Sequence, residues 1–142
     1  MKRLALLLIV LPPLLVVRAP PAGAQETPSC PFAGQTPQLV VQLFFGQSIK
    51  GAGLISRRAW TRFVADTITP SLPGGFTITD AYGQWQDPAT HAIGREPTEL
   101  LVVAAKDSPD FRARIAGIAD AFRRRFDLRE VGIVSAAGCG AF

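Results

Sequence analysis

The chain has 142 residues, a formal net charge of +4, two cysteines and one histidine. This length is enough for one domain with a single hydrophobic core. A nucleic-acid-binding protein would need a concentrated basic face, and so small a net charge argues against one.

Residues 1–24 have the features of a secretory signal peptide. Lys2 and Arg3 form a positive n-region, residues 4–17 form an apolar run, and Ala22-Gly23-Ala24 fits a small-residue cleavage site. The run is broken by Pro12-Pro13 and is shorter than the roughly 20 residues that span a bilayer. We therefore expect cleavage after Ala24, export to the periplasm or the medium, and no membrane span afterwards. A retained N-terminal anchor is the alternative.

Residues 25–38 are rich in Pro, Thr, Ser and Gly and predict a flexible lead-in to a single domain over residues 39–142. Cys30 lies in this lead-in and Cys139 lies near the C-terminus. Because an exported protein reaches an oxidising compartment, we expect the two to form a disulfide that joins both ends of the domain. A catalytic thiol is the alternative, but neither cysteine has a histidine nearby in sequence.

The first half of the domain predicts a strand, a helix and a second strand. Residues 39–45 are almost continuously apolar, which indicates a strand covered on both faces. Ser56 is a suitable N-cap for a helix to about Thr69. Residues 76–86 form the second strand, where Gly83 indicates a bulge or a close backbone approach. The helix has a buried stripe at helical spacing, made of Trp60, Phe63, Val64, Thr67 and Ile68.

The second half begins with a polar loop over residues 87–94 that contains His91. No cysteine or closely spaced acid accompanies it, so we predict an exposed histidine and no metal site. Residues 99–105 form the third strand, and residues 129–135 form the last one. The second helix begins at Ser108-Pro109. Its apolar face is made of Phe111, Ile115, Ile118, Phe122 and Phe126.

Arg123-Arg124-Arg125 is the one dense basic run, and it falls in the last turns of this second helix. Cations complement the negative end of a helix dipole. We interpret the run as a solvated helix face, with contact to a polyanion or a membrane phosphate as the alternative.

The element order β-α-β-β-α-β predicts a fold of the α+β class. Right-handed crossovers lead to the ferredoxin-like arrangement, a four-stranded antiparallel sheet with both helices on one face. The opposite face must be solvated, covered by the terminal segments or closed by a second copy. Because the first and third strands are so apolar, we favour coverage, and hence a homodimer through the sheet face.

The hairpin of the second and third strands holds the candidate ligand-binding residues. Trp85 offers a stacking surface, and Arg95 offers a fork for a carboxylate or phosphate. Glu96 is suited to general base catalysis only if burial raises its pKa. In the alternative, these groups serve structure, pairing with hairpin neighbours and covering the sheet edge. The full candidate set is Tyr82, Gln84, Trp85, Arg95 and Glu96, with Asp80 as a further candidate.

Several short motifs are spread over the domain. They are Phe44-Phe45-Gly46, Trp60 with Phe63, Thr69-Pro70, Gly75-Phe76-Thr77, Asp80-Ala81-Tyr82-Gly83-Gln84-Trp85 and Arg95-Glu96-Pro97-Thr98. Together with the terminal Cys139 and Phe142, they resemble a bacterial family catalogued as domain of unknown function 3574, over roughly residues 30–142. The resemblance implies a small exported α+β domain and no particular activity. Where that family usually has an arginine after Phe-Gly, this chain has Gln47.

No Ser-His-Asp set, metal cluster or phosphate-binding loop is visible in the sequence. We therefore expect a non-catalytic binding or structural module of the cell envelope that uses no cofactor. Its partner would be an unknown small ligand or an envelope protein rather than a nucleic acid. The alternative is a small-molecule-binding protein or enzyme with a pocket at the hairpin.

Overall fold

A computed structural model of the protein describes residues 30–49 and 51–142. The predicted signal peptide and residues 25–29 of the predicted lead-in lie outside the described residues. Within the described ranges, no helix is both long and apolar enough to cross a membrane. The strands are β1 Thr36–Gly46, β2 Ser48–Ile49, β3 Gly53–Leu54, β4 Thr77–Gln86, β5 Ile93–Ala105 and β6 Gly132–Gly140. The helices are α1 Arg57–Phe63, which continues through a π-helical segment Val64–Ile68 into the short α2 Thr69–Ser71, and α3 Pro109–Phe126.

Four long strands form one sheet in the order β4-β5-β1-β6, and every neighbouring pair is antiparallel. Both helices pack on one face of this sheet in a common core. The predicted ferredoxin-like α+β fold is therefore confirmed. β2 and β3 form a separate two-stranded hairpin, which the sequence did not predict.

The core depends on the alternation of side chains along β1. Val41, Leu43 and Phe45 point to the helices and are buried. Their neighbours in the chain point to the opposite face. Phe45 lies 5.3 Å from the ring of Trp60 and 4.8 Å from the ring of Phe122, between centroids. Tilted aromatic contacts of this kind add stability beyond the burial of area.

Both predicted helix starts are confirmed. The hydroxyl of Ser56 accepts a hydrogen bond from the backbone N–H of Ala59 at 3.2 Å, and that of Ser108 accepts one from Phe111 at 3.1 Å. The first helix differs from a regular one because of its π-helical segment. Within that segment Ile68 is fully buried, whereas the predicted stripe residues Val64 and Thr67 are only partly buried.

Three strands are longer than predicted. β1 begins at Thr36 instead of residue 39, and β6 runs on through small residues to Gly140 because they pair with the start of β1. β5 begins at Ile93 instead of residue 99, although it contains Pro97. A proline interrupts a strand that is paired on both sides. β1 ends opposite Thr98, so only β4 pairs with this part of β5.

Cys30 and Cys139 form the predicted disulfide, with their Cα atoms 5.6 Å apart. Cys139 belongs to β6 and lies opposite Pro37 of β1. The bond therefore holds the segment before β1 against the end of β6. Its sequence separation of 109 spans almost the whole domain.

Replacing both cysteines by serine is expected to lower the free energy of unfolding by about 2–5 kcal/mol, because opening so long a loop gives the unfolded chain more freedom. Guanidinium chloride unfolding followed by circular dichroism measures this difference. Reductant should lower the midpoint of the wild type and leave that of the double variant unchanged. Equal midpoints for the oxidised wild type and the variant would contradict the expectation.

Candidate functional site

A groove of about 660 Å³ lies at one end of the sheet, where β1 finishes and the β4–β5 hairpin extends beyond it. We call it the hairpin groove. β4 and β5 supply most of one wall, and the segment after α3 supplies Leu128, Arg129 and Glu130. Its other lining residues include Phe44, Ser48, Tyr82, Gln84, Trp85, Glu96 and Thr98.

Two glycines that line the groove, Gly46 and Gly83, leave room for side chains of β5. A Cβ atom on Gly46 would lie 2.6 Å from one carboxylate oxygen of Glu96 and 2.8 Å from the other. A Cβ on Gly83 would lie 3.3 Å from the hydroxyl of Thr98. The carboxylate of Glu96 therefore packs directly against the backbone of Gly46. A larger residue at position 46 would push the carboxylate out of this place.

The bulge considered at Gly83 is absent, which corrects that expectation. β4 and β5 stay in one continuous register from Thr77 opposite Val102 to Gln86 opposite Ile93. The close approach at Gly83 is made by side chains of β5. Gly83 lies opposite Glu96 in that register, so its missing side chain makes room on the groove side of the hairpin.

The strand alternation separates the candidate residues of the hairpin into two groups. Trp85 and Glu96 lie on the sheet face opposite the helices and line the groove. Arg95 lies on the other face, and its Nε donates a hydrogen bond to Oε1 of Gln84 at 2.9 Å. Tyr82 and Gln84 border the groove as well, but in the register they lie opposite Pro97 and Arg95, so their side chains belong to the face of Arg95. Trp85 and Glu96 are therefore the two candidates whose side chains face the groove. The pairing of Arg95 with a hairpin neighbour is the structural role that the sequence left open.

Trp85 is held in place by the strand opposite. Its cross-strand partner is Gly94, and a Cβ atom there would overlap the indole ring. The ring therefore lies against the backbone of β5 while half of the residue, 51 %, stays exposed. The groove thus has aromatic surface available for a ligand to stack on.

Glu96 is half-buried and carries no ion pair or side-chain hydrogen bond to any described residue. Its neighbour on the strand, Arg95, points to the opposite face and is engaged with Gln84.

A second acidic group lies on the helix side of the sheet, and the sequence interpretation missed its main member, Glu99. Glu99 is buried and lies opposite Asp80, the further candidate. Arg57 at the start of α1 contacts Glu99 through Nη1 at 3.1 Å and Asp80 through Nη2 at 3.6 Å. Burial raises the pKa of Glu99, the charge of Asp80 raises it further, and Arg57 opposes both. None of these three residues lines the hairpin groove.

Gln47, which stands where the resembled family usually has arginine, is buried and structural. Its side-chain amide donates to the carbonyl of Phe45 at 2.8 Å. Its backbone N–H donates to the carbonyl of Pro97 at 3.0 Å, and its carbonyl accepts from the N–H of Ile55 at 2.8 Å. Gln47 therefore fastens the end of β1 to β5 and to the start of the first helix.

The basic run at the end of α3 and His91 lie on the surface, as the sequence indicated. Arg123 pairs with Asp120, and the guanidinium of Arg125 lies 5.8 Å from the ring centroid of Phe126. His91 is exposed in the hairpin loop. In residues 30–49 and 51–142, no three His, Cys, Asp or Glu side chains are grouped so as to hold a metal ion.

Residues 41–142 match the family described as "Protein of unknown function (DUF3574)". The chain belongs to this family. The resemblance inferred from the hairpin motifs is thereby confirmed, and the family description assigns no activity. A comparison with curated proteins found no significant match.

Three solved structures are similar to this chain. A phage SAM lyase in complex with S-methyl-5'-thioadenosine is 10 % identical, with a TM-score of 0.53 over 74 % of this chain and 90 % of that one. CutA1 from Oryza sativa is 11 % identical, with a TM-score of 0.49 over 78 % and 87 %. CPII, a nitrogen regulatory PII-like protein from Thiomonas intermedia K12 bound to ADP, AMP and bicarbonate, is 11 % identical, with a TM-score of 0.44 over 76 % and 97 %. At such identities the likeness concerns the fold alone.

Removing either of the two charged neighbours of Glu99, Asp80 or Arg57, should shift its pKa, and the two shifts should have opposite signs. Asp80→Asn is expected to lower the pKa, because it removes a nearby negative charge, and Arg57→Gln is expected to raise it, because it removes a cation. An NMR titration of the Glu99 carboxyl carbon measures both shifts. Two shifts of the same sign would contradict the described cluster.

The raised pKa of Glu99 also predicts how the free energy of unfolding depends on pH. Because the folded state holds this proton more tightly than the unfolded state, the free energy of unfolding should fall as the pH rises from about 4.5, the ordinary value, through the raised pKa. Glu99→Gln should remove that part of the pH dependence, and Glu130→Gln, an exposed control, should retain it.

Proposed function

We propose that the protein is an exported, non-catalytic binding module of the cell envelope whose hairpin groove holds a small ligand. The observation that carries this function is that one groove holds Trp85 together with the carboxylate of Glu96, which has no ion-pair partner among residues 30–49 and 51–142. Apolar surface with a few well-placed polar groups is the usual composition of a small-molecule site.

The size of the groove favours a small molecule. About 660 Å³ lies within the range of roughly 300–1,000 Å³ that such sites occupy. Trp85 and Glu96 lie against the backbone of Gly94 and Gly46, and this contact limits how far their side chains can move before a ligand binds.

Binding without catalysis is supported by where the perturbed carboxyl lies. In enzymes, residues with strongly shifted pKa values are concentrated in the active-site cleft. Glu99, whose pKa is raised, is instead buried on the helix side with Arg57, away from the groove. Its setting is that of a structural ion pair.

Export is supported by the sequence of residues 1–24 and is compatible with the disulfide between Cys30 and Cys139. In the cytosol, thiol systems keep most cysteines reduced. An oxidising compartment is where a bond that joins the two ends of the domain would persist.

A thermal-shift screen of small molecules against the exported, disulfide-bonded protein tests the groove. A ligand at 100 times its dissociation constant stabilises by about 2.7 kcal/mol, which raises the melting temperature by several degrees. We expect such a ligand to stabilise the wild type but neither Trp85→Ala nor Glu96→Gln.

Arg95→Ala is the matched control, because it alters the same hairpin on the face away from the groove. It should respond to the ligand as the wild type does, and circular dichroism of each variant checks folding. Ligands that stabilise all four proteins equally would place the site elsewhere.

We further propose that a second copy of the chain covers the part of the sheet face opposite the helices that lies away from the hairpin groove. This face carries partly exposed apolar side chains on three strands, among them Val40, Leu100, Val102 and Val134. Both helices lie on the other side, and apolar patches of this kind are typical of interfaces. A twofold pairing of one such face with itself forms a closed dimer.

Sedimentation analysis of the exported protein should therefore give twice the mass of one chain. Val102→Lys is expected to give a monomer, because it places a charge in the middle of the face. Lys106→Glu, at an exposed position after β5, is the control and should remain a dimer. A wild type that is monomeric at all concentrations would remove this proposal.

A further inference from the structure

The geometry points to an organic cation, an ammonium group on a small apolar frame, as the ligand of the hairpin groove. This inference rests on the proposed function and adds the chemical class of the ligand. Three observations carry it: a carboxylate without an ion-pair partner among the described residues, its contact with the backbone of Gly46, and aromatic surface in the same groove.

Glu96 differs from the other glutamate of the central part of β5. Glu99, three residues along, points to the helices and is neutralised by Arg57 at 3.1 Å. Glu96 points into the groove and has no cation partner within the described part of the chain. A half-buried carboxylate without a partner favours the arrival of a cation, since an ion pair there is less screened than at the open surface.

The carboxylate is also held in place. Both its oxygens and its Cδ lie within 2.9 Å of where a Cβ atom of Gly46 would stand. Contact with the backbone limits where the group can move. A charge that is positioned before binding loses little conformational freedom when the ligand arrives.

The aromatic residues complete the recognition. Phe44 and Trp85 line the groove on the same sheet face as Glu96. A cation next to an aromatic face is attracted by the ring quadrupole, most strongly for tryptophan. An ammonium group on an apolar frame satisfies both the rings and the carboxylate, whereas a neutral apolar ligand would cover the carboxylate without pairing it.

The remaining charges of the groove do not reverse this preference. Arg129 and Glu130 lie side by side on the segment after α3 and offset one another. Among the described residues the lining therefore has one net negative charge, that of Glu96. An anionic ligand would meet this charge at the same wall as the aromatic surface.

Choline and 3,3-dimethylbutan-1-ol form a matched pair of probes, because they share shape and hydroxyl and differ in the charge of the central atom. Titration of the exported protein is followed by tryptophan fluorescence, since Trp85 is half-exposed while Trp60 is buried, and by calorimetry. We expect choline to bind at least tenfold more tightly than the neutral alcohol, and added salt to weaken choline alone.

Glu96→Gln is expected to weaken choline at least tenfold and to leave the neutral alcohol unchanged. Asp66→Asn removes the same charge outside the groove and should bind choline as the wild type does. Trp85→Ala should weaken both probes. Equal affinity for the two probes, or equal loss of choline binding in Glu96→Gln and Asp66→Asn, would overturn the inference.

The two proposals fail in different ways. If choline does not bind but a neutral or anionic molecule from the screen does, and Trp85→Ala abolishes that binding, the cation preference is wrong and the groove remains a ligand site. If no ligand depends on Trp85 or Glu96, the proposed function of the groove fails together with this inference.

Discussion

The position of β1 in the middle of the sheet is the constraint on which the other features depend. It pairs with β5 on one side and β6 on the other. Its two rows of side chains therefore lie at the centre of the two faces of the sheet. Val41, Leu43 and Phe45 bury themselves against both helices. Phe44 belongs to the other row and reaches the hairpin groove. Core and groove therefore come from alternate residues of a single strand.

The same alternation divides the acids of β5 by role. Glu96 and Glu99 stand three residues apart and hence face opposite sides of the sheet. On the helix side Glu99 is buried with Arg57, and breaking that pair would leave a charge without compensation. On the groove side Glu96 packs against the backbone of Gly46. One strand thus holds a carboxylate paired with an arginine and, three residues away, a carboxylate that lines the groove.

The parts of the structure that depend on local chemistry could be predicted from the sequence. Ser56 and Ser108 cap the helices as expected, and the spacing of the α3 phenylalanines identified its buried face. The element order then led to the observed fold. The disulfide followed from the cysteine count and the expected compartment.

The parts that depend on register could not be predicted in the same way. The hollow beside Glu96 needs Gly46, which is 50 residues away in sequence and reaches it only through the pairing of β1 with β5. The role of Glu99 depends on Arg57 from α1. For Arg95 and Glu96 a signal did exist, since adjacent strand residues face opposite sides and so cannot both line one groove.

The closure of the disulfide has a consequence for the order of folding. Cys30 precedes the first strand and Cys139 belongs to the last one, so the bond cannot form until β6 is available to pair with β1. In a chain that enters an oxidising compartment N-terminus first, β1 arrives before both of its partners and must wait for them with its apolar rows uncovered. Such a strand is prone to pairing with other chains until it is enclosed. The disulfide can therefore form only after β6 has entered that compartment, because a chain truncated before β6 lacks Cys139.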